Sequence, residues 1–154
     1  MAVLQIITPI TDRTQEDVQR VQTLIAKGYS NLSDDEKAEW LNGLKGSLNL
    51  SDLERIENNV QLLSDVLELN LETYLGKIPQ IPTATYYNNL LYNVSQIYGA
   101  WAHYDDTPSP PTKVTYYTDL NAIEQIINDI FKILNANFYV YAGELYAGEI
   151  IGIS

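Results

Sequence analysis

Apolar residues recur at spacings of three and four along several stretches of this chain, and this spacing constrains the fold more than any other feature. The clearest stripe follows Ser51 and consists of Leu53, Ile56, Val60, Leu63 and Leu67. Such spacing places the residues on one face of an α-helix, whereas a half-buried strand would alternate apolar and polar residues. The stretch therefore predicts a long amphipathic helix with one buried face.

Three further stretches show the same periodicity and predict three more main helices. Their stripes are Val18, Val21 and Ile25 after Thr14; Tyr87, Leu90, Val94, Ile97 and Trp101 after Pro82; and Leu120, Ile123, Ile127, Ile130 and Leu134 after Thr118. Gly28 stands where the first helix would need a C-terminal cap. A short additional helix is predicted from Ser33 to Asn42-Gly43, because Ser33 and Glu36 form an S-x-x-E capping box, as Ser51 and Glu54 do later.

The main helices open in similar ways. EDVQRVQTLI begins at Glu16, SDLERIENNV at Ser51 and TDLNAIEQII at Thr118. Aligned on Asp17, Asp52 and Asp119, these openings are separated by about one and about two periods of 34 residues. They therefore fit four helices that recur about every 34 residues, a period found in helical repeat arrays. The W-x2-L-G-x2-Y core of tetratricopeptide repeats is absent. Because any capped amphipathic helix begins similarly, a short repeat array and an ordinary helical bundle both remain open.

The two ends of the chain differ from the helical middle. Residues 3–7 form a short β-prone run before Pro9, and residues 138–154 are rich in aromatic and β-branched residues. Gly143 and Gly148 disfavour a helix there, so the pattern indicates a β-ribbon or extended arm, with a frayed C-terminus as the alternative. We expect a mainly α fold with a helical domain over 1–137, a Pro-rich loop at 105–112, and a C-terminal β arm over 138–154.

Charge and hydropathy exclude several classes of partner. The 154 residues include 9 Lys and Arg against 20 Asp and Glu, a net charge of −11. A phosphate backbone is bound by clusters of Lys and Arg, and the sequence has none, so we expect neither nucleic acid nor an anionic membrane as a partner. The apolar runs are far shorter than the ~18–20 residues of a membrane span. The opening MAVLQIITPITDR lacks the basic and apolar regions of a secretory signal.

Residues suited to catalysis or metal binding are sparse. The chain has no Cys, which excludes disulfides, thiolate nucleophiles and the usual structural zinc sites. The only histidine, His103, lies near Trp101 and two tyrosines, a setting typical of a packing or surface residue. The acidic residues at 34–36 fall in the first turn of a predicted helix, where the helix dipole favours carboxylates. We expect a protein that is not an enzyme and has neither cofactor nor metal, with a carboxylate pair for glycan hydrolysis as the remaining catalytic alternative.

Tyrosine is concentrated in the second half of the chain, where residues 76–154 hold ten of the twelve. Tyr and Trp combine a large apolar area with a polar group, which suits a core, a protein interface or stacking on a sugar ring. All three uses remain open here. The candidate interface or glycan contacts are Tyr98, Trp101, Tyr104, Tyr141 and Tyr146.

Residues 11–63 contain a series of short motifs. They are T-D-R-T at 11–14, D-V at 17–18, K-G-Y at 27–29, E-K-A-E-W-L at 36–41, G-L-K-G at 43–46, D-L at 52–53 and R-I-E at 55–57. In this order the motifs resemble a segment that recurs in tail and other virion structural proteins of phages and prophages of Gram-positive bacteria. Glu54 stands where those proteins usually have Asn, which appears here at Asn121. The repeated YAGE at 141–144 and 146–149 is similar to the strand-forming ends of such proteins.

The resemblance implies assembly and attachment, with no catalytic residues to transfer. Tail fibre, baseplate, neck and capsid decoration are all compatible with it. We therefore expect a structural virion subunit, assembled in the bacterial cytoplasm, that binds other virion proteins and forms homo-oligomers through its aromatic half and terminal strands. The alternative is a module that binds host cell-wall polysaccharide through Tyr98, Trp101 and Tyr104.

Overall fold

The computed structural model describes residues 5–146, with side chains as far as residue 137. Within this range the chain forms five α-helices and one 3-10 turn. In order they are α1 (Gln15–Lys27), the 3-10 turn (Tyr29–Asn31), α2 (Asp34–Leu41), α3 (Leu50–Val66), α4 (Ala84–Ala100) and α5 (Tyr117–Tyr146). The described residues contain no β-strand, and the predicted mainly α character is confirmed.

Helices α3, α4 and α5 each pack against the other two around a common core, which makes the fold a helical bundle. The stripes predicted for α3 and α5 lie in this core, except that Leu67 follows the end of α3 and is only partly buried. In α4 the buried aromatic residue is Tyr86, while the predicted Tyr87 is half-buried and Trp101 is an exposed residue just after the helix. Thr83 is the N-cap of α4, because its hydroxyl accepts a hydrogen bond from the Tyr86 N–H.

Helices α1 and α2 form a second, smaller cluster around Leu24, Leu32 and Leu44. The stripe predicted for α1 was wrong in one member, since Leu24 is fully buried and Ile25 is 60% exposed. Val21 and Leu24, three residues apart, share the buried face, and each further residue turns about 100° around the helix. Ile25 therefore points away from the cluster.

The structure confirms some of the predicted N-terminal helix caps and corrects another. Ser33 and Glu36 form the predicted capping box of α2, and Thr14 and Asp17 form one for α1. Helix α3 begins before the predicted Ser51: Asp52 Oδ2 accepts from the Asn49 N–H at 2.9 Å, so Asn49 is the N-cap. Ser51 thus lies within the first turn.

The segments predicted as strands differ from the structure. Residues 5–7 form no strand, and the Ile7 backbone bonds to the Asn59 side chain of α3 instead of to another strand. Residues 3 and 4 lie outside the described range. Residues 138–146, predicted as the start of a β arm, continue α5, and 147–154 lie outside the description. A single Gly in a helix interior lowers helix stability by only about 1 kcal/mol relative to Ala. This cost is too small to end α5. Residues 105–112, predicted as a Pro-rich loop, contain neither helix nor strand.

Candidate functional site

Residues 5–13, called the N-terminal strap below, form neither helix nor strand and bind to α3 and α5. Asn59 of α3 accepts from the N–H of Ile7 and donates to its carbonyl oxygen, both at 2.8 Å. Asn121 of α5 binds the Arg13 backbone in the same way, at 3.1 and 2.9 Å. Each side-chain amide thus supplies the pair of bonds that a neighbouring strand would give to an extended residue.

Arg13, the last residue of the strap, is 3% exposed and lies at the centre of a buried charge cluster. Its Nη2 donates to Glu124 Oε2 at 2.8 Å and to Asp52 Oδ1 at 3.2 Å. Arg55 binds the same two carboxylates, with Nη2 2.7 Å from Asp52 Oδ1 and Nε 2.6 Å from Glu124 Oε1. We call these four residues the clamp network. Two guanidinium groups balance two carboxylates, and the cluster joins the strap, α3 and α5.

The clamp network favours the charged forms of Arg55 and Asp52 in spite of burial. Burial lowers the pKa of Arg55, but its hydrogen bonds to Glu124 and Asp52 outweigh that effect and raise the pKa above the usual range. Burial likewise raises the pKa of Asp52, yet the Arg55 hydrogen bond, the Asn49 N–H and the charge of Arg13 lower it below the usual range. Removing one partner of a buried ion pair leaves an uncompensated charge, which destabilises a protein by about 3–5 kcal/mol.

The motifs noted in the sequence meet next to the clamp network. Gly46 lies against the start of α1, where an added Cβ would clash with the Asp17 carbonyl oxygen. Only glycine lets the connection between α2 and α3 pass so close. Lys45 binds Asp12 of the strap at 2.9 Å across this junction. The motif residues at 12–13, 17, 45–46, 52 and 55 therefore hold the small cluster and the bundle together.

Another buried carboxylate, that of Glu57 in α3, forms no ion pair within the described residues. Its Oε1 accepts from the Tyr86 hydroxyl at 3.0 Å, and its Oε2 accepts from the Tyr74 N–H at 3.1 Å. Burial raises the pKa of Glu57 above its usual range, although both hydrogen bonds act in the opposite direction. Burial and the nearby Glu57 charge also raise the pKa of Tyr86. Glu57 thus joins α3, the loop after it and α4.

Sequence reasoning assigned no role to Glu57 or Glu124, although a signal was present. The alignment of the helix openings on Asp52 and Asp119 places the two glutamates at the same position, five residues further on. Both are next to the apolar stripes, and both are buried. A buried acidic residue needs partners, so an acid repeated beside two apolar stripes could have indicated these sites.

The candidate aromatic contacts lie at the end of α4 and in the loop that follows. Tyr98 stacks on His103 with ring centroids 4.0 Å apart, so the imidazole makes a packing contact. Trp101 and Tyr104 are 40% and 42% exposed. Thr107 fixes this loop on α5, since its hydroxyl donates to Asp129 Oδ2 at 2.7 Å. Tyr141 and Tyr146 belong to the part of α5 whose side chains lie outside the description.

The described residues include no group of three or more His, Asp and Glu side chains placed to hold a metal ion. No helix among them is long and apolar enough to cross a membrane. Comparison of the chain with protein-family models, with curated proteins and with solved structures finds no match.

Proposed function

We propose that this protein is a non-catalytic structural subunit of a phage or phage-like virion, as a tail, fibre or baseplate component that assembles with other virion proteins. One observation carries the proposal. The motif residues that resemble those of virion proteins have framework roles: Arg13, Asp52 and Arg55 form buried ion pairs, and Gly46 makes a close backbone approach. A motif that fixes two clusters relative to each other suits a subunit that must present its surfaces in a constant arrangement.

Particles of the phage or prophage that encodes the chain provide the test. We expect mass spectrometry of purified particles to detect the chain in fixed proportion to other virion proteins. Gold-labelled antibodies against the recombinant protein should mark one location on the particle in electron micrographs. Particles produced without the gene are the control and should lack the label. Complete wild-type particles that do not contain the chain would contradict the proposal.

A second candidate function is binding of host cell-wall polysaccharide through the loop after α4. The exposed rings of Trp101 and Tyr104 favour it, because flat aromatic faces can stack on sugar rings. Tyr98 is less suited, since His103 covers one face of its ring.

Sedimentation of the recombinant protein with purified cell wall distinguishes the two functions. Glycan binding predicts that Trp101→Ala abolishes sedimentation, whereas Tyr116→Ala, at an exposed tyrosine elsewhere, preserves it. The structural function predicts that Trp101→Ala still enters particles if its fold is intact. No sedimentation of the wild-type protein would remove the glycan-binding candidate.

A further inference from the structure

A cavity of about 120 Å³ lies where the N-terminal strap, the connection between α2 and α3, and the start of α5 meet. Leu48, Val114 and Leu120 give it apolar walls, while Arg13 and Tyr116 add side chains that can donate hydrogen bonds. None of the described residues that line it is acidic, although the chain has 20 Asp and Glu against 9 Lys and Arg. The cavity walls therefore offer hydrogen-bond donors without a carboxylate of their own.

Arg13 has one N–H group without a partner, and this group is the one left to face the cavity. Nη1 donates to the Ile10 carbonyl oxygen at 2.8 Å and to Asn121 Oδ1 at 3.3 Å, and Nη2 donates to the two carboxylates of the clamp network. None of these acceptors belongs to a residue that lines the cavity. Nε is buried and has no hydrogen-bond partner among the described residues. Because a buried donor without an acceptor is costly, Nε favours a ligand that brings an oxygen atom.

The start of α5 adds positive potential on another side of the cavity. Tyr117, the first residue of this 30-residue helix, lines the cavity. The N–H groups at the start of a helix carry a partial positive charge that favours anions. Asp119 uses part of this potential, since its Oδ2 accepts from the Thr115 and Tyr116 N–H groups at 2.9 and 3.0 Å. Its side chain does not line the cavity, so it does not occupy the place of a ligand.

Lys113 supplies a full positive charge close to the cavity. Its Nζ lies 5.6 Å from the centre of the Tyr116 ring, and Tyr116 both lines the cavity and is 62% exposed. Lys113 forms no ion pair within the part of the chain that the structure describes. Its charge can therefore attract an anion that enters beside Tyr116.

We propose that this cavity binds a carboxylate group on a short aliphatic stem, as in acetate or in an Asp or Glu side chain of a partner protein. A carboxylate oxygen would accept from Arg13 Nε, and the stem would lie against Leu48 and Leu120. A cavity of about 150 Å³ can hold benzene, so this slightly smaller one suits a group of that kind. Inorganic phosphate has no apolar part and would leave the apolar walls without a contact. The site does not depend on the proposed virion function, because the isolated chain tests it.

The arginine Nε–H signals of the full-length chain in two-dimensional ¹H–¹⁵N NMR spectra report on the site directly. Only three arginines are present, and Nε of Arg20 and of Arg55 already donates to a carboxylate, at 3.0 and 2.6 Å. These two signals are internal controls. We expect titration with sodium acetate to shift the Arg13 Nε–H signal along a saturable curve, whereas sodium chloride at the same ionic strength leaves it in place.

Lys113→Gln tests the contribution of the lysine charge, and Lys37→Gln is its matched control. Lys37 also lies over a tyrosine ring, 5.5 Å from the centre of Tyr29, and it forms no ion pair within the described residues. We expect Lys113→Gln to weaken acetate binding about two- to fivefold and Lys37→Gln to leave it unchanged. Equal affinities of the two variants would contradict a site beside Lys113.

Two capped peptides distinguish the sources of the carboxylate. One carries a single glutamate side chain, and the other carries glutamine at that position. Shifts with acetate and with the glutamate peptide, but not with the glutamine peptide, support an acidic side chain of a partner protein as the ligand. Shifts with acetate and with neither peptide support a free small carboxylate. Equal shifts with acetate and chloride, equal shifts with both peptides, tighter binding of inorganic phosphate than of acetate, or no saturable shift with any probe overturns the inference.

Discussion

Glu57 and Glu124 occupy aligned positions in α3 and α5 and are both almost completely buried, yet their surroundings differ. Glu124 binds two guanidinium groups, those of Arg13 and Arg55. Glu57 binds a tyrosine hydroxyl and a backbone N–H. The same residue type on the same face of two packed helices is thus accommodated once by opposite charge and once by neutral donors.

The difference shows how each site depends on its partners. The clamp network joins three segments that are far apart in the sequence, and each of its charges is compensated only while the others remain in place. The Glu57 site joins neighbouring segments of the bundle and becomes most stable when its carboxyl group is neutral. Substitutions at the two sites should therefore differ in size, in sign and in pH dependence.

Arg13→Ala should have the largest effect. It removes one guanidinium group and leaves Asp52 and Glu124 to share Arg55, so a buried negative charge is uncompensated. We expect the free energy of unfolding to fall by about 3–5 kcal/mol in urea denaturation. Hydrogen exchange should also show faster exchange in α1 and α2, because the strap that links them to the bundle is released.

Arg20→Ala is the matched control for that experiment. Arg20 pairs with Glu39 at 2.8 Å, but both side chains are about half exposed, so the pair is screened by water. Its removal should lower the free energy of unfolding by less than about 1 kcal/mol. If Arg13→Ala is as mild as Arg20→Ala, the clamp network does not connect the two clusters.

Glu124→Gln should have the next largest effect. The glutamine oxygen can still accept one hydrogen bond, but its NH2 group faces arginine donors and the negative charge is lost. We expect the free energy of unfolding at neutral pH to fall by about 2–3 kcal/mol. An unchanged urea midpoint would show that the ion pairs contribute nothing beyond ordinary packing, and the comparison with Glu57 would fail.

The helices could be predicted from the sequence because apolar periodicity and caps are local signals. The α3 and α5 stripes and the Ser33 cap illustrate this success. The errors arose where two neighbouring residues fitted the local periodicity about equally well and tertiary packing decided which of them is buried. This applies to Leu24 and Ile25 and to Tyr86 and Tyr87. The arm predicted over 138–154 was wrong for its first nine residues, because Gly143 and Val140 lower helix propensity too little to end a helix that is already formed.

The clamp network could not be predicted because Arg13 is separated from its partners Asp52 and Glu124 by 39 and 111 residues. The residues next to Arg13 in the sequence do not indicate whether its side chain is buried or exposed. The sequence did place Asp52 and Arg55 in a recognisable motif, but the motif gives no spatial partner. The strap shows the same limit, since Ile7 bonds to an asparagine side chain 52 residues away rather than to another strand.

Glu57→Gln should have the smallest effect, and it should stabilise where Glu124→Gln destabilises. A glutamine at this position can accept from the Tyr74 N–H and donate to the Tyr86 oxygen, so the site retains two hydrogen bonds, with the direction of the Tyr86 bond reversed. At neutral pH the variant no longer has to ionise a buried carboxyl group. We expect a gain in the free energy of unfolding of no more than about 1 kcal/mol at pH 7.

The sign of this gain should follow pH, because burial raises the pKa of Glu57 in the folded protein. The stability that Glu57 contributes is complete below its unfolded pKa and is lost as the pH rises through the folded pKa. The difference between Glu57→Gln and wild type should thus be small at about pH 4 and grow towards about pH 8, as measured by urea denaturation. A constant difference would mean that Glu57 has the same pKa in both states, and a difference that shrinks with rising pH would mean that a cation compensates it. In either case neutral hydrogen-bond donors alone would not account for the Glu57 site. The Glu57 and Glu124 sites would then not differ in the way that their partners predict.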